Sequence, residues 1–181
     1  MTVPAARSAS LSAFDLATAQ DVFVLRRIGQ SAAEALGMDR QDQVRIATAL
    51  SELGRDRLGC TGLTVSFTLP PGPESVLAVV FEWDGGTETG SWDSGTKPAP
   101  DLEPAARLLN RVRHESGGAR ERIVAEHPLP ADWSDTPAAR LGVRAALRRH
   151  APMTLADDLR AQTRDLIATL EETRAQREEL R

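Results

Sequence analysis

Glu52 and Asp56 stand four residues apart in a stretch whose apolar residues recur at helical spacing. Four residues make just over one helical turn, so both carboxylates leave one face and point at one place. That is the geometry a general base and a metal ligand require to act on a single substrate. On composition alone, the more ordinary account of such a pair is a solvated helix face. A further carboxylate, Asp84, opens an Asp84-Gly85-Gly86 turn directly after an apolar run; by itself that tripeptide marks a chain reversal. Trp83 and Trp92 flank the turn. Either ring has the shape to stack on a flat ligand, and a core role is expected for Trp83. His114, His127 and His150 have no Ser, Cys or carboxylate at a catalytic spacing and are expected on the surface. Cys60 is the single cysteine, which excludes an intrachain disulfide and gives no basis for a Cys/His metal cluster.

The elements that must position these residues follow from hydrophobic periodicity. Residues 10–16 read as an edge strand. Thr18, with Asp21 three positions on, is a variant capping box that opens a helix over 19–36, and Gly37 follows its end. Asp39 caps a second helix, in which Val44, Ala47, Leu50, Leu53 and Leu58 are expected to face inward. The period then changes to two over 63–69, and 76–83 is a second, nearly all-apolar strand, giving a hairpin across 70–73. Residues 84–100 hold too many Gly and Pro for a regular element and read as a long loop. A third helix, capped by Asp101, is expected over 101–114, and a strand over 120–126.

Pro130 marks the expected end of the globular part, so the chain divides into a domain over 1–130, a linker with a short basic helix over 131–153, and a coil over 154–181. In the coil, Leu159, Thr163, Leu166, Leu170, Thr173, Arg177 and Leu180 keep alternating four- and three-residue steps, a heptad seam weakened by two Thr and one Arg. Its charged heptads run to Arg181 with no stop signal, and the helix is expected to continue into a further domain. The chain has 181 residues and 41% apolar content, enough for one core. Acidic residues outnumber basic ones, 26 to 22, without a basic stripe, so nucleic acid is not an expected partner. With no apolar run of membrane-spanning length and no leader at the N-terminus, a cytoplasmic location without membrane insertion is expected.

The segment Asp42-Gln43-Val44-Arg45-Ile46-Ala47-Thr48-Ala49-Leu50-Ser51-Glu52-Leu53-Gly54-Arg55-Asp56 resembles the N-box helix of the GHKL (Bergerat-fold) ATPase class, in its bacterial anti-sigma-factor and switch serine-kinase branch. That helix reads roughly D-x-x-R-I-x-T-A-x-S-E-L-x-R-N ahead of the first central strand. The resemblance spans about residues 14–130. It implies an α/β (α+β) fold: a two-layer sandwich of a mixed, mainly antiparallel sheet with helices on one face, followed here by the helical coil. It also implies that Glu52 is the catalytic base, that Asp56 stands where an asparagine ligates Mg²⁺ beside ATP, and that Asp84 and Gly86 form the adenine turn. Glu88 stands where that turn has its second glycine, and Gly118-Ala119 stands where the family has Gly-Thr. The glycine-rich lid has no counterpart in 94–104, which carries one glycine and three prolines.

The resemblance therefore implies a regulatory ATPase-like module of a bacterial signalling protein, with weak or absent ATP turnover over a degenerate ATP and Mg²⁺ site. Its implied partners are proteins: a STAS-type anti-anti-sigma factor, a sigma factor, or a phosphatase or histidine-kinase output domain. The coil offers homodimerisation through 154–181. Two rival readings stand beside it, an active serine/threonine kinase phosphorylating a STAS-type partner, and a helical adaptor whose function lies in 138–181.

Overall fold

The structure, a computed structural model, describes residues 10–85 and 98–150. Gly86, Glu88, Trp92 and the coil at 154–181 lie outside the described residues. The chain opens with strand β1 (Ser10–Asp15), then helices α1 (Ala19–Ala35) and α2 (Arg40–Arg57). Strands β2 (Thr64–Thr68) and β3 (Val76–Asp84) form the expected hairpin. A one-turn helix α3 (Glu103–Ala106) precedes strands β4 (Arg111–Glu115) and β5 (Arg120–Pro128), and helix α4 (Pro137–Arg148) ends the described chain. The sheet order is β1-β2-β3-β5-β4, and every pairing in it is antiparallel. The mixed sheet expected from the sequence is thus antiparallel throughout its described strands. Among the described residues, no helix is long and apolar enough to cross a membrane.

Local signals account for the first half. The Thr18 hydroxyl accepts from the Asp21 amide at 3.3 Å while the Asp21 carboxylate accepts from the Thr18 amide at 2.8 Å, which satisfies the free donors at the start of α1. Asp39 does the same for α2, accepting from the Asp42 amide at 2.8 Å. The two helices approach closely at Gly29, where a Cβ would lie 2.7 Å from Leu50 Cδ1. Alternation along the strands then separates two faces. Val65 and Phe67 of β2, Phe81 and Trp83 of β3, and Ile123 and Ala125 of β5 turn toward the helices and share one core with them. Their neighbours Glu82, Asp84, Arg120 and Arg122 turn to the other face.

Three expectations are corrected. The third helix is only one turn long, and 111–115, placed within it by its leucine spacing, is a strand paired to β5. Pairing with β5 outweighs local helical spacing there, because Val112 and His114 gain the core face while Arg111 and Glu115 meet Glu126 and Arg122 across the ladder. Leu102 rather than Asp101 is its N-cap, although Asp101 Oδ1 accepts from the Glu103 amide at 3.1 Å. On α2, Val44 is 48% exposed, and the inward stripe is Ile46, Leu50, Leu53 and Arg57. Finally, α4, expected within a linker, buries Val143 and Leu147 in the common core. Arg140 and Arg144 donate to the Leu69 and Ser10 carbonyls, both at 3.4 Å, so α4 is also held to the β1–β2 edge.

Candidate functional site

Helix α2 carries Glu52 and Asp56 toward its C-terminal end, one turn apart as the spacing requires. Each is held by an arginine of the same helix. Glu52 Oε1 accepts from Arg55 Nη1 at 2.7 Å, and Asp56 Oδ2 accepts from Arg57 Nε at 2.8 Å. These pairs differ in kind. Arg55 and Glu52 are 54% and 42% exposed, so water competes for both partners. The Arg57 side chain is 3% exposed. Its guanidinium lies 5.4 Å from the centroid of the Trp83 ring, a cation–π arrangement. Beyond Trp83, the His114 ring stacks at 5.8 Å with an interplanar angle of 12°, and His114 Nε2 lies 3.0 Å from Glu121 Oε2.

Asp84 is placed differently. It ends β3 directly after Trp83, and because Trp83 faces the helices, Asp84 faces away from them. Arg120, its register partner on β5, makes three contacts, one of them to Asp84. Nη1 donates to Asp84 Oδ1 at 2.9 Å and Nη2 to the Gly62 carbonyl at 3.0 Å, while Nε meets Glu82 Oε1 at 2.7 Å. Gly62, at φ +66°, has no room for a side chain, since a Cβ there would lie 2.8 Å from Asp84 Oδ2. The Asp84 amide donates to the Thr61 carbonyl at 2.9 Å. The turn between α2 and β2 is thereby tied to the ends of β3 and β5.

The spacing argument brings Glu52 and Asp56 together on one helix and does not bring Asp84 to them. Asp56 communicates with β3 through Arg57 and Trp83, on the helix side of the strand, and Asp84 leaves from the other side. Asp56 holds the buried Arg57 guanidinium through Oδ2, and Asp84 holds Arg120 through Oδ1. Among the described residues, no group of three His, Cys, Asp or Glu side chains is placed to hold a metal ion.

Two of the histidines are not surface groups. His127 is 8% exposed, with Nε2 3.4 Å from Asp42 Oδ1, and its Nδ1 is buried without a hydrogen-bond partner. His114 belongs to the Trp83 stack. On the open face, Glu115 is bonded by both Arg113 and Arg122, and these guanidiniums, Arg113 foremost, hold its carboxyl below the usual glutamate value. Arg113 is raised in turn, chiefly by Glu115.

Sequence reasoning overlooked Arg57 and Arg120. Arg57 had a legible signal, for it extends the apolar stripe of Ile46, Leu50 and Leu53 by one further helical step, and a cation at a core position demands a partner. Arg120 had none, because its role depends on a register that joins residues 62, 84 and 120.

Fold and side chains together define an α+β protein: a five-stranded antiparallel sheet whose helices cover one face. Comparison with protein-family models returns no match, and no curated protein matches the chain.

Proposed function

We propose that this chain is a regulatory module of a bacterial signalling protein, related to the anti-sigma and switch serine-kinase branch of the GHKL class, which acts by binding a protein partner rather than by turning over ATP. The observation that carries the reading is the N-box-like segment at residues 42–56, set on the second of two successive helices ahead of the central hairpin. The arginine partners of Asp56 and Asp84 favour binding over catalysis. Phosphoryl transfer depends on a pre-arranged electrostatic clamp around the γ-phosphate, and here both carboxylates assigned to nucleotide and metal are engaged by the protein itself. The partner is a STAS-type anti-anti-sigma factor, a sigma factor, or an output domain joined through residues 154–181, and the setting is cytoplasmic. The second reading, an active serine/threonine kinase with Glu52 as base, rests on that glutamate within the same motif.

Calorimetric titration separates the two. The regulatory reading expects no heat from Mg-ATP up to millimolar concentration, together with saturable binding of a STAS-type domain or a sigma factor. Submillimolar Mg-ATP binding that is lost in Asp84→Asn would establish the kinase reading instead. Failure to bind any of these protein partners would remove the signalling assignment.

A further inference from the structure

Arg57 is the one described residue at which α2 buries a full charge among apolar neighbours. A guanidinium in that position is tolerated only with a close counter-ion and with its remaining surface covered. Asp56 supplies the first at 2.8 Å and the Trp83 ring the second at 5.4 Å. Glu52, one turn before Asp56 on the same helix, is bonded to Arg55.

We infer that Asp56 is the counter-ion of buried Arg57 and not a cation ligand, and that Arg57, Trp83, His114 and Glu121 form one continuous stack fastening the C-terminal end of α2 to the β4–β5 hairpin. The inference deepens the proposed reading, from which it takes the alternative role for Asp56. It also explains the departure from the family pattern at this position. An asparagine would offer the buried guanidinium only a neutral carbonyl oxygen, so an arginine at 57 calls for an acid at 56. Both ends of the stack are acidic, Asp56 on Arg57 and Glu121 on His114. Asp56 is 30% exposed and is itself partly solvated. Its removal therefore harms Arg57 more than its presence costs.

The test uses the full chain without nucleotide or partner, so its outcome is independent of whether either binds. Thermal midpoints are compared for the wild type, Asp56→Asn, Arg57→Met and the double variant, each with EDTA and with excess Mg²⁺. A counter-ion role predicts that Asp56→Asn lowers the midpoint by about 3–6 °C. In the Arg57→Met background, the same change costs about 1 °C or less, because no buried cation remains to be stranded. Asp56→Glu recovers part of the loss, and Mg²⁺ moves no midpoint. An Asp56→Asn protein as stable as the wild type, or a Mg²⁺-induced rise that Asp56→Asn abolishes, overturns the inference. Should Arg57→Met fail to fold, Glu52→Gln serves as the reference: equal shifts for it and for Asp56→Asn would reduce the effect to surface charge and overturn the counter-ion role.

Discussion

Leu141 and Leu147 lie on the same helix, and truncating each in turn measures whether α4 is part of the folded core. Leu147 is fully buried at 0% exposure, whereas Leu141 is 62% exposed. Leu147→Ala removes three carbons from a packed site. At about 0.8 kcal/mol for each buried methylene, the transfer contribution is about 2.4 kcal/mol, and the cavity left behind raises the loss to roughly 3 kcal/mol. For a domain of this size, that lowers the thermal midpoint by about 10 °C. Leu141→Ala removes the same atoms from water-facing surface and stays within about 0.5 kcal/mol of the wild type. Urea titration followed by tryptophan emission reads both, with Trp133 half-buried close to the start of α4 as a local reporter. The two variants must share one transition and one slope for the comparison to hold. Equal costs for the two leucines would show that α4 is detached in solution and would return the boundary of the core to residue 130.

Gly62→Ala is expected to cost about 1–3 kcal/mol, since it places a side chain in the left-handed region and against the Asp84 carboxylate 2.8 Å away. Unchanged stability in chemical denaturation would dissolve the Arg120 clamp as described. The Glu115 carboxyl is lowered in the folded chain, first by Arg113 and then by Arg122. Its contribution is therefore complete above the ordinary glutamate range and is lost as pH falls through the folded value beneath it. The gap in urea midpoint between wild type and Glu115→Gln should be present at neutral pH, smaller in high salt because Glu115 is 34% exposed, and closed in acid. A gap that persists at the acid end would assign the effect to packing instead.

Much of the framework was legible because it is written in short-range chemistry. Thr18 with Asp21, and Asp39 ahead of Asp42, announce helix starts by side chains that bond their own backbone within three residues. The alternation over 63–69 needs only the two-residue period of a half-buried strand. Residues 101–114 misled for the same reason. Leu102, Leu108 and Leu109 are spaced as in a helix, and the competing demand on 111–115 comes from the ladder with β5, the next element along the chain, which helical periodicity does not register. The candidate site divides along the same line. Glu52 and Asp56 were correctly placed on one helical face, because that relation is set within five residues. The side from which Asp84 leaves the sheet was not legible, because it turns on which face of β3 meets the helices.

By itself, the order of residues determined where helices begin, which runs become strands and which acids share a helix face, since each follows from hydrogen bonds and periodicities spanning a few positions. The folded arrangement alone decided what those acids do. Arg57 reaches the Trp83 ring and Arg120 reaches Asp84 only after the sheet register is set. The hydrogen-bond network of the candidate site thus joins residues up to 58 positions apart, where contact depends on packing rather than on sequence distance.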